Sequence, residues 1–402
     1  MNDVMENPDI GRRNLSRKYG VSEKKIRPIL KRCKLILQEQ REEIDDPDER
    51  LVVYLAKLEK QKQRLMDQQR IERKIRNQIR VDNSLADYGA EILKIFKERE
   101  VNYTLPVHQA NDDVVGIFQI SDTHFNELIN ITGNQYDFKI AARRLQKYVN
   151  VAKKQFKTHN IQKVVVAMTG DLLNSDRRLD ELLNMATNRA KATSLSAILL
   201  EQVIVDLAQD FEVTLTYVTG NESRAGEYMG TTEIMISDNY DVTIFEMLKL
   251  MFRDTNVNFI EGSVGEKVVQ IKNKNVLLIH GHQMKGSISK QSQQIKGKYS
   301  DLNIKIDYIL FGHIHECLIA DFYARSSSLC GANAYSNNLL QLTSRASQNI
   351  HFVSNTSINS MKIDLQEYEE YEGYDIDASL EAYNAKSSEK GKDNTFIVVN
   401  IL

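Results

Sequence analysis

The chain has 402 residues, of which 42% are apolar, and a formal net charge of -2. That length favours two or three domains with a sizeable core, and so small a net charge argues for no particular partner. No apolar run approaches the roughly 18 residues of a membrane span, Met1 to Asn14 lacks the apolar core of a signal sequence, and the three cysteines, Cys33, Cys317 and Cys330, have no disulfide-framework or metal-site spacing. The expectation is a soluble cytoplasmic protein with no membrane partner.

In chain order, Leu15 to Ser22 reads as a helix followed by a Gly-containing turn and a Ser N-cap, and Glu23 to Cys33 as a second helix. Ile26, Ile29 and Leu30 form its expected apolar stripe and leave Lys24, Lys25, Arg27, Lys31 and Arg32 largely off it. Residues 1–40 are therefore predicted as a helix-turn-helix-like head. It would bind DNA through Lys24, Lys25, Arg27 and Lys31, or dock a protein partner if the lysines are only a solvated face. Pro28, beyond the first turn, counts against the second helix because it removes one backbone hydrogen bond.

Residues 41–110 read as a charged helical linker or coiled-coil-like region. Leu51, Tyr54, Leu55, Leu58, Ile71, Ile75 and Ile79 form a thin stripe that would lie on another surface or pair two copies into a homodimer. Lys60 to Arg80 is rich in basic residues, ordinarily a solvated face, though beside a nuclease-like centre such a run would track a phosphate backbone.

Residues 111–366 carry the chemistry. Val114 to Ile120 is an apolar run that breaks into Ser121, Asp122, Thr123, His124. Asp137 should cap a helix bearing Phe138, Ala141, Leu145, Tyr148, Val149, Ala152 and Phe156 at helical spacing. Val164 to Thr169 then ends in Gly170 and Asp171, with Asn174 beyond. Asp180 to Gln209 and Thr243 to Phe252 are the next helical stretches. Val213 to Thr219 ends in Gly220 and Asn221; Val276 to Ile279 in His280, Gly281, His282; and Ile306 to Phe311 in Gly312, His313, Ile314, His315. Five apolar strands each finish on a potential ligand, where open α/β sheets keep their ligands. Beyond Leu365 the sequence turns acidic, and residues 367–402 are predicted to be a partly mobile tail, with Thr395 to Leu402 apolar enough for an edge strand.

From Val114 to Lys362 this ordered set resembles the calcineurin-like metallophosphoesterase superfamily, which includes protein phosphatases, cyclic-nucleotide and phospholipid phosphodiesterases and SbcD-type DNA-repair nucleases. The resemblance implies an α/β class chain with a four-layer αββα sandwich preceded by a helical N-terminal region. By the same resemblance Asp122, His124 and His315 would hold one metal and Asn221, His280 and His313 a second, with Asp171 bridging and His282 the alternative to His280. Imidazoles, carboxylates and one amide without thiolates suit two divalent ions, Mn first and Fe or Zn as the other candidates. Asn174 would orient Asp171 from outside.

One departure matters. The family's Gly-Asn pair is normally followed by His and an acidic residue, whereas here Gly220 and Asn221 precede Glu222 and Ser223. A carboxylate beside two cations holds no proton for a leaving group, so the expectations are slow hydrolysis by metals alone, recruitment of Arg224 as the positive group, or a scaffold without activity. The first functional expectation is a phosphodiesterase or nuclease acting on DNA, of phage or prophage type by similarity of layout. The alternatives are a DNA- or recombinase-binding accessory factor on a weakly active or inactive scaffold, and a phosphatase or cyclic-nucleotide phosphodiesterase.

Overall fold

A computed structural model describes residues 11–41, 113–226, 232–333 and 344–388. Contacts divide the chain into two units, Met1–Gly89 and Ala90–Leu402. The helical linker expected over residues 41–110 and the edge strand expected at Thr395 to Leu402 lie outside the described residues, save Arg41.

In the first unit, α1 (Arg12–Tyr19) and α2 (Glu23–Arg41) flank a turn in which Gly20 takes the left-handed conformation, φ 62°. Leu15, Ile26 and Cys33 are buried together with Leu30 against them. Ile29, expected in the stripe, is 59% exposed, because positions 26, 30 and 33 rather than 29 share the face turned to α1. Pro28 is carried inside the continuous helix α2, which runs past Cys33 to Arg41. Lys24, Lys25, Arg27 and Lys31 are all exposed.

The second unit is a four-layer αββα sandwich. Its first sheet has the order β13-β12-β1-β4-β5-β6, built from β1 (Val114–Ile120), β4 (Lys163–Met168), β5 (Glu212–Tyr217), β6 (Asn258–Phe259), β12 (Ser347–Ser354) and β13 (Ile358–Asp364). The second has the order β10-β11-β9-β8-β7, from β7 (Glu266–Ile271), β8 (Lys274–Ile279), β9 (Tyr308–Phe311), β10 (Leu318–Ala320) and β11 (Tyr323–Arg325). A short hairpin, β2 (Ile129–Ile131) with β3 (Asn134–Tyr136), stands apart.

The strands that end at the candidate site read as largely apolar runs because both of their faces are buried. In β4, Val164, Val166 and Met168 face the outer helices α3 (Phe138–Thr158) and α5 (Arg189–Ala208), while Val165 and Ala167 face the second sheet. In β8, Val276 and Leu278 meet that same inter-sheet core, and Leu277 and Ile279 pack towards α8 (Ile288–Asp301) on the far side. Parallel pairing of β1 with β4 and β4 with β5 brings Ile120, Met168 and Tyr217 to one edge, so the turns after them are neighbours.

Two helical expectations are redrawn. The stretch Asp180 to Gln209 is α4 (Leu179–Leu183) and α5, separated where Met185 bridges Glu127 and where the Asn188 side chain caps α5 by accepting from Lys191 N. The helix expected from Thr243 starts earlier, as α7 (Tyr240–Met251), following α6 (Glu233–Ser237). Asp137 caps α3 as expected, accepting from Ile140 N at 2.9 Å. Residues 367–388 of the expected partly mobile tail pack against the helix side of the sandwich. Ile376 and Leu380, beside and within α9 (Asp377–Ala382), join the helix-side core, and Ser388 donates from N and Oγ to Asp137 Oδ2 at 2.9 and 2.8 Å.

Between the sheets His351 is fully buried, with Nε2 3.1 Å from Gln119 Oε1 and Nδ1 2.7 Å from Ser360 Oγ. Gln119 spends its Nε2 on Thr169 Oγ1 and Phe311 O, so His351 Nε2 must donate and Nδ1 must accept from Ser360. Burial pushes this imidazole down to about 3. The unfolded chain takes up the proton near the ordinary value of 6.5 and the folded chain resists it, so stability falls as pH drops from 6.5 towards 3. In metal-free protein, His351→Gln should make the stability lost between pH 7 and 5 smaller by about 2 kcal/mol. Urea midpoints at the two pH values test this, and equal losses in both proteins would contradict it.

Candidate metal centre

The turns after β1, β4, β8 and β9 carry six candidate ligands, and five of these hold a backbone conformation that side-chain-bearing residues rarely adopt. Asp122, His124, Asp171, His313 and His315 have φ of 48°, 45°, 54°, 75° and 58°. Strain of this kind costs on the order of 1–3 kcal/mol each and persists where the surrounding structure overrides it, commonly at functional sites. Here it turns the side chains inward into two groups. Asp122, His124 and His315 bring one ligand atom each within 4.8 Å of one another, and Asp171, His280 and His313 do the same. His124, Asp171 and Glu222 form a third such set, so Asp171 lies within reach of both groups.

The polar contacts define each group. His124 Nε2 stands 2.9 Å from His315 Nε2, and the two lie 3.9 and 3.4 Å from Asp122 Oδ1. His280 Nδ1 is 2.8 Å from Thr169 O and must donate to it, which turns Nε2 towards Asp171 Oδ2 at 2.8 Å and Asn221 Oδ1 at 3.1 Å. His280, rather than its alternative His282, thus falls in the second group, and the His282 ring stands 5.6 Å from that of His280.

This donor set fits divalent cations. A neutral His280 would aim its Nε2 lone pair at two acceptor oxygens, and His124 and His315 would set two ring nitrogens against each other beside a carboxylate. At His280 an added proton or a metal ion reconciles the contacts, while between His124 and His315 a single N–H or a metal ion does. Burial works against charging His280, but Asp171 and then Asp122 push it up to about 10; His124 is pushed to about 10 by Glu222 and Asp171 against the same burial. Metal ligation requires these nitrogens unprotonated, so binding near pH 7 should release protons, and affinity should rise with pH. Calorimetric Mn titrations in buffers of different ionisation enthalpy should show release of between one and two protons; no buffer dependence would contradict it.

The carboxylates are held by backbone. Asp171 Oδ1 accepts from Glu222 N at 2.6 Å and Ser223 N at 3.3 Å, while both oxygens of Asp122 accept from His313 N at 3.0 Å. Although burial opposes it, His280 and the Glu222 N–H hold Asp171 well below the usual carboxylate range. The expected support from Asn174 is replaced by these amides, and the buried Asn174 Oδ1 has no hydrogen-bond partner among the described residues.

Glu222 puts Oε2 3.3 Å from His124 Nδ1. Arg224 Nη1 donates to Asn221 O at 2.6 Å, Arg177 donates to Asn221 O and Glu222 O at 3.0 and 3.3 Å, and Arg189 to Glu222 O and Arg224 O at 2.8 and 3.0 Å. Three guanidiniums therefore brace the turn after β5. A cleft of about 580 Å³ opens beside the centre, lined among others by Asn174, Arg178, Asn221, Glu222, His313 and His315.

Sequence reasoning missed the residues that hold these turns. Asp241, buried in the first turn of α7, accepts from Asp171 N, Leu172 N and Gly220 N at 3.1, 3.0 and 2.8 Å. Gln348 accepts from Ser121 N at 2.8 Å and donates to Ser121 O at 2.9 Å. An Asn before an apolar helix signals a cap, but no local signal reports a contact across 70 residues.

No protein-family model matches the chain, and no curated protein does. Among solved structures it is similar to a predicted phosphoesterase from Streptococcus pneumoniae, at 13% identity and TM-score 0.28 over 66% of this chain and 95% of that one. It is similar to Vps29 complexed with zinc from Entamoeba histolytica at 14% identity and TM-score 0.28, over 62% and 99% of the two chains. For the Thermus thermophilus sulfate thiohydrolase SoxB the values are 12% and 0.35, over 73% and 63%. Likeness at this level leaves the side-chain arrangement itself as the ground for function.

Proposed function

We propose that the chain is a dinuclear metal-dependent phosphoesterase of the calcineurin-like kind, acting on phosphodiesters, with DNA as its substrate. The observation that carries the reading is the meeting of Asp122, His124, Asp171, Asn221, His280, His313 and His315 in two adjoining groups with Asp171 within reach of both. Asp122, His124 and His315 would hold one ion and Asn221, His280 and His313 the other, with Asp171 between; Mn is the proposed metal, Fe and Zn the other candidates. When bound, two such ions supply charge neutralisation for the phosphoryl oxygens and an activated water.

The chain's own groups set the rest. Thr169 O fixes the His280 tautomer, and the Glu222 carboxylate stands 3.3 Å from His124 Nδ1 as a charge neighbour, outside hydrogen-bond geometry. Glu222 spends its charge there, and the hydrogen bonds from Arg177, Arg189 and Arg224 to backbone carbonyls commit those guanidiniums to the turn. No proton donor stands in the family's histidine position, so esters whose leaving group needs no protonation should react fastest. The exposed Lys24, Lys25, Arg27 and Lys31 support DNA binding by the head, and a protein partner there or a homodimer through residues 41–110 is the counter-proposal. Among the described residues no helix is long and apolar enough to cross a membrane, and free Cys33, Cys317 and Cys330 support a reducing compartment, for which we propose the cytoplasm.

The test is Mn-loaded protein with bis(p-nitrophenyl) phosphate, p-nitrophenyl phosphate, and single-stranded, double-stranded and nicked DNA. Hydrolysis of the activated diester ahead of the monoester, with slower DNA cleavage, is expected; no hydrolysis of any substrate by metal-loaded protein would overturn it. The Glu222–His124 pairing favours one second reading, a DNA- or recombinase-binding accessory factor, which would show gel shifts without cleavage.

A further inference from the structure

The start of α7 touches two of the four turns that carry the second group of ligands, those of Asp171 and Asn221. Asp241 Oδ2 accepts from Asp171 N at 3.1 Å and Gly220 N at 2.8 Å, and Oδ1 accepts from Leu172 N at 3.0 Å. Asn239, two residues earlier, donates from Nδ2 to Gly220 O at 2.9 Å and accepts Asp241 N on Oδ1 at 2.9 Å. Tyr240 N donates to Ser223 O at 2.9 Å, while Ser223 Oγ accepts Leu173 N at 2.9 Å and donates to Leu173 O at 3.1 Å. Both faces of the Gly220 peptide environment and the backbone of Asp171 are therefore tied to one buried carboxylate and its capping neighbour.

We infer that Asn239 and Asp241 form a latch that sets the spacing of Asp171 and Asn221, and so determines whether the second cation binds. Asp241 is a positioning residue: it contacts the ligands' backbone and not the ion. The inference rests on the dinuclear reading. Its effect concentrates on the group of Asp171, Asn221, His280 and His313. The turn carrying Asp122 is joined to the latched turn through Asp122 N to Gly170 O and His124 N to Asp171 O, but it makes no bond to Asn239 or Asp241 and has further supports in Gln348 on Ser121 and His313 N on Asp122.

The chemistry of a substitution follows from the donor count. Three backbone N–H groups converge on two carboxylate oxygens, and Asp241→Asn turns one acceptor into a donor facing them. The turns must then separate. Outer partners of metal ligands typically matter 10- to 100-fold in affinity.

Mn binding to the full chain, measured by calorimetry and by EPR, tests the latch without reference to turnover. In wild type two ions should bind as an exchange-coupled pair. Asp241→Asn should weaken the second ion by roughly 10- to 100-fold, leave the first within about threefold, and abolish the coupled signal. Asn239→Ser, which retains an oxygen for Asp241 N and loses the donor to Gly220 O, should shift the second ion the same way by a smaller factor, and it decides the matter if Asp241→Asn does not fold. Equal weakening of both ions, or a lowered Tm with unchanged affinities, would overturn the latch. Failure of wild type to bind a pair would instead overturn the dinuclear reading.

Discussion

Asp171→Asn is expected to reduce bound Mn from two ions per chain to at most one and to lower hydrolysis of bis(p-nitrophenyl) phosphate by at least about 10²- to 10³-fold. The carboxylate serves two sets of partners at once. Oδ1 accepts from Glu222 N and Ser223 N, while Oδ2 faces His280 Nε2 at 2.8 Å. An amide cannot serve both. With its NH2 at the Oδ1 position it opposes two backbone donors, and with its NH2 at the Oδ2 position it presents hydrogens to the place a cation would occupy. Loss of the charge also removes the largest influence raising His280 towards about 10, so the proton released on metal binding should fall in number. Elemental analysis and the hydrolysis assay measure the two effects; full metal content with wild-type turnover would contradict the role given to Asp171.

Gly220→Ala should be the second most damaging change. A Cβ at Gly220 would stand 2.0 Å from Asp171 Oδ1 and 2.3 Å from Asp171 N. Rotation of the Asp171 side chain relieves only the first of these, so the backbone of one ligand turn must move away from the other. Overpacking of this kind costs roughly 1–3 kcal/mol, and it acts on the spacing of Asp171 and Asn221. A lower urea midpoint together with loss of one Mn per chain is expected. Gly297, inside α8 with nothing within 4 Å of a built Cβ, is the internal control. Gly297→Ala should leave metal content unchanged and raise stability by about 0.5–1 kcal/mol. Normal metal binding by Gly220→Ala would remove the packing account of that turn.

The strands were legible because burial on both faces makes β1, β4, β8 and β9 largely apolar, with Gln119 the buried polar exception in β1, and a run of polar residues after such a strand stands out. Alternation between cores, as in Val164 to Met168, was hidden in the same uniformity, so the sequence indicated strands without saying which side of each faced which layer. The residues that meet at the candidate site were legible in the residue types at strand ends, while the left-handed backbone at Asp122, His124 and His315 was not. Only tertiary packing forces a non-glycine residue there. Asp241 escaped notice because a charged residue in the first turn of a helix ordinarily serves that helix, and its partners lie about 20 and 70 residues away. The acidic composition after Leu365 suggested mobility, yet a few apolar residues, Ile376 and Leu380 among them, suffice to seat the segment on the helical layer.

Diffraction from Mn-soaked crystals at the manganese absorption edge would test the central claim most directly. Two anomalous peaks should appear about 3.5–4 Å apart, one among Asp122, His124 and His315, the other among Asn221, His280 and His313, with Asp171 touching both. A single peak, or peaks away from these side chains, would contradict it.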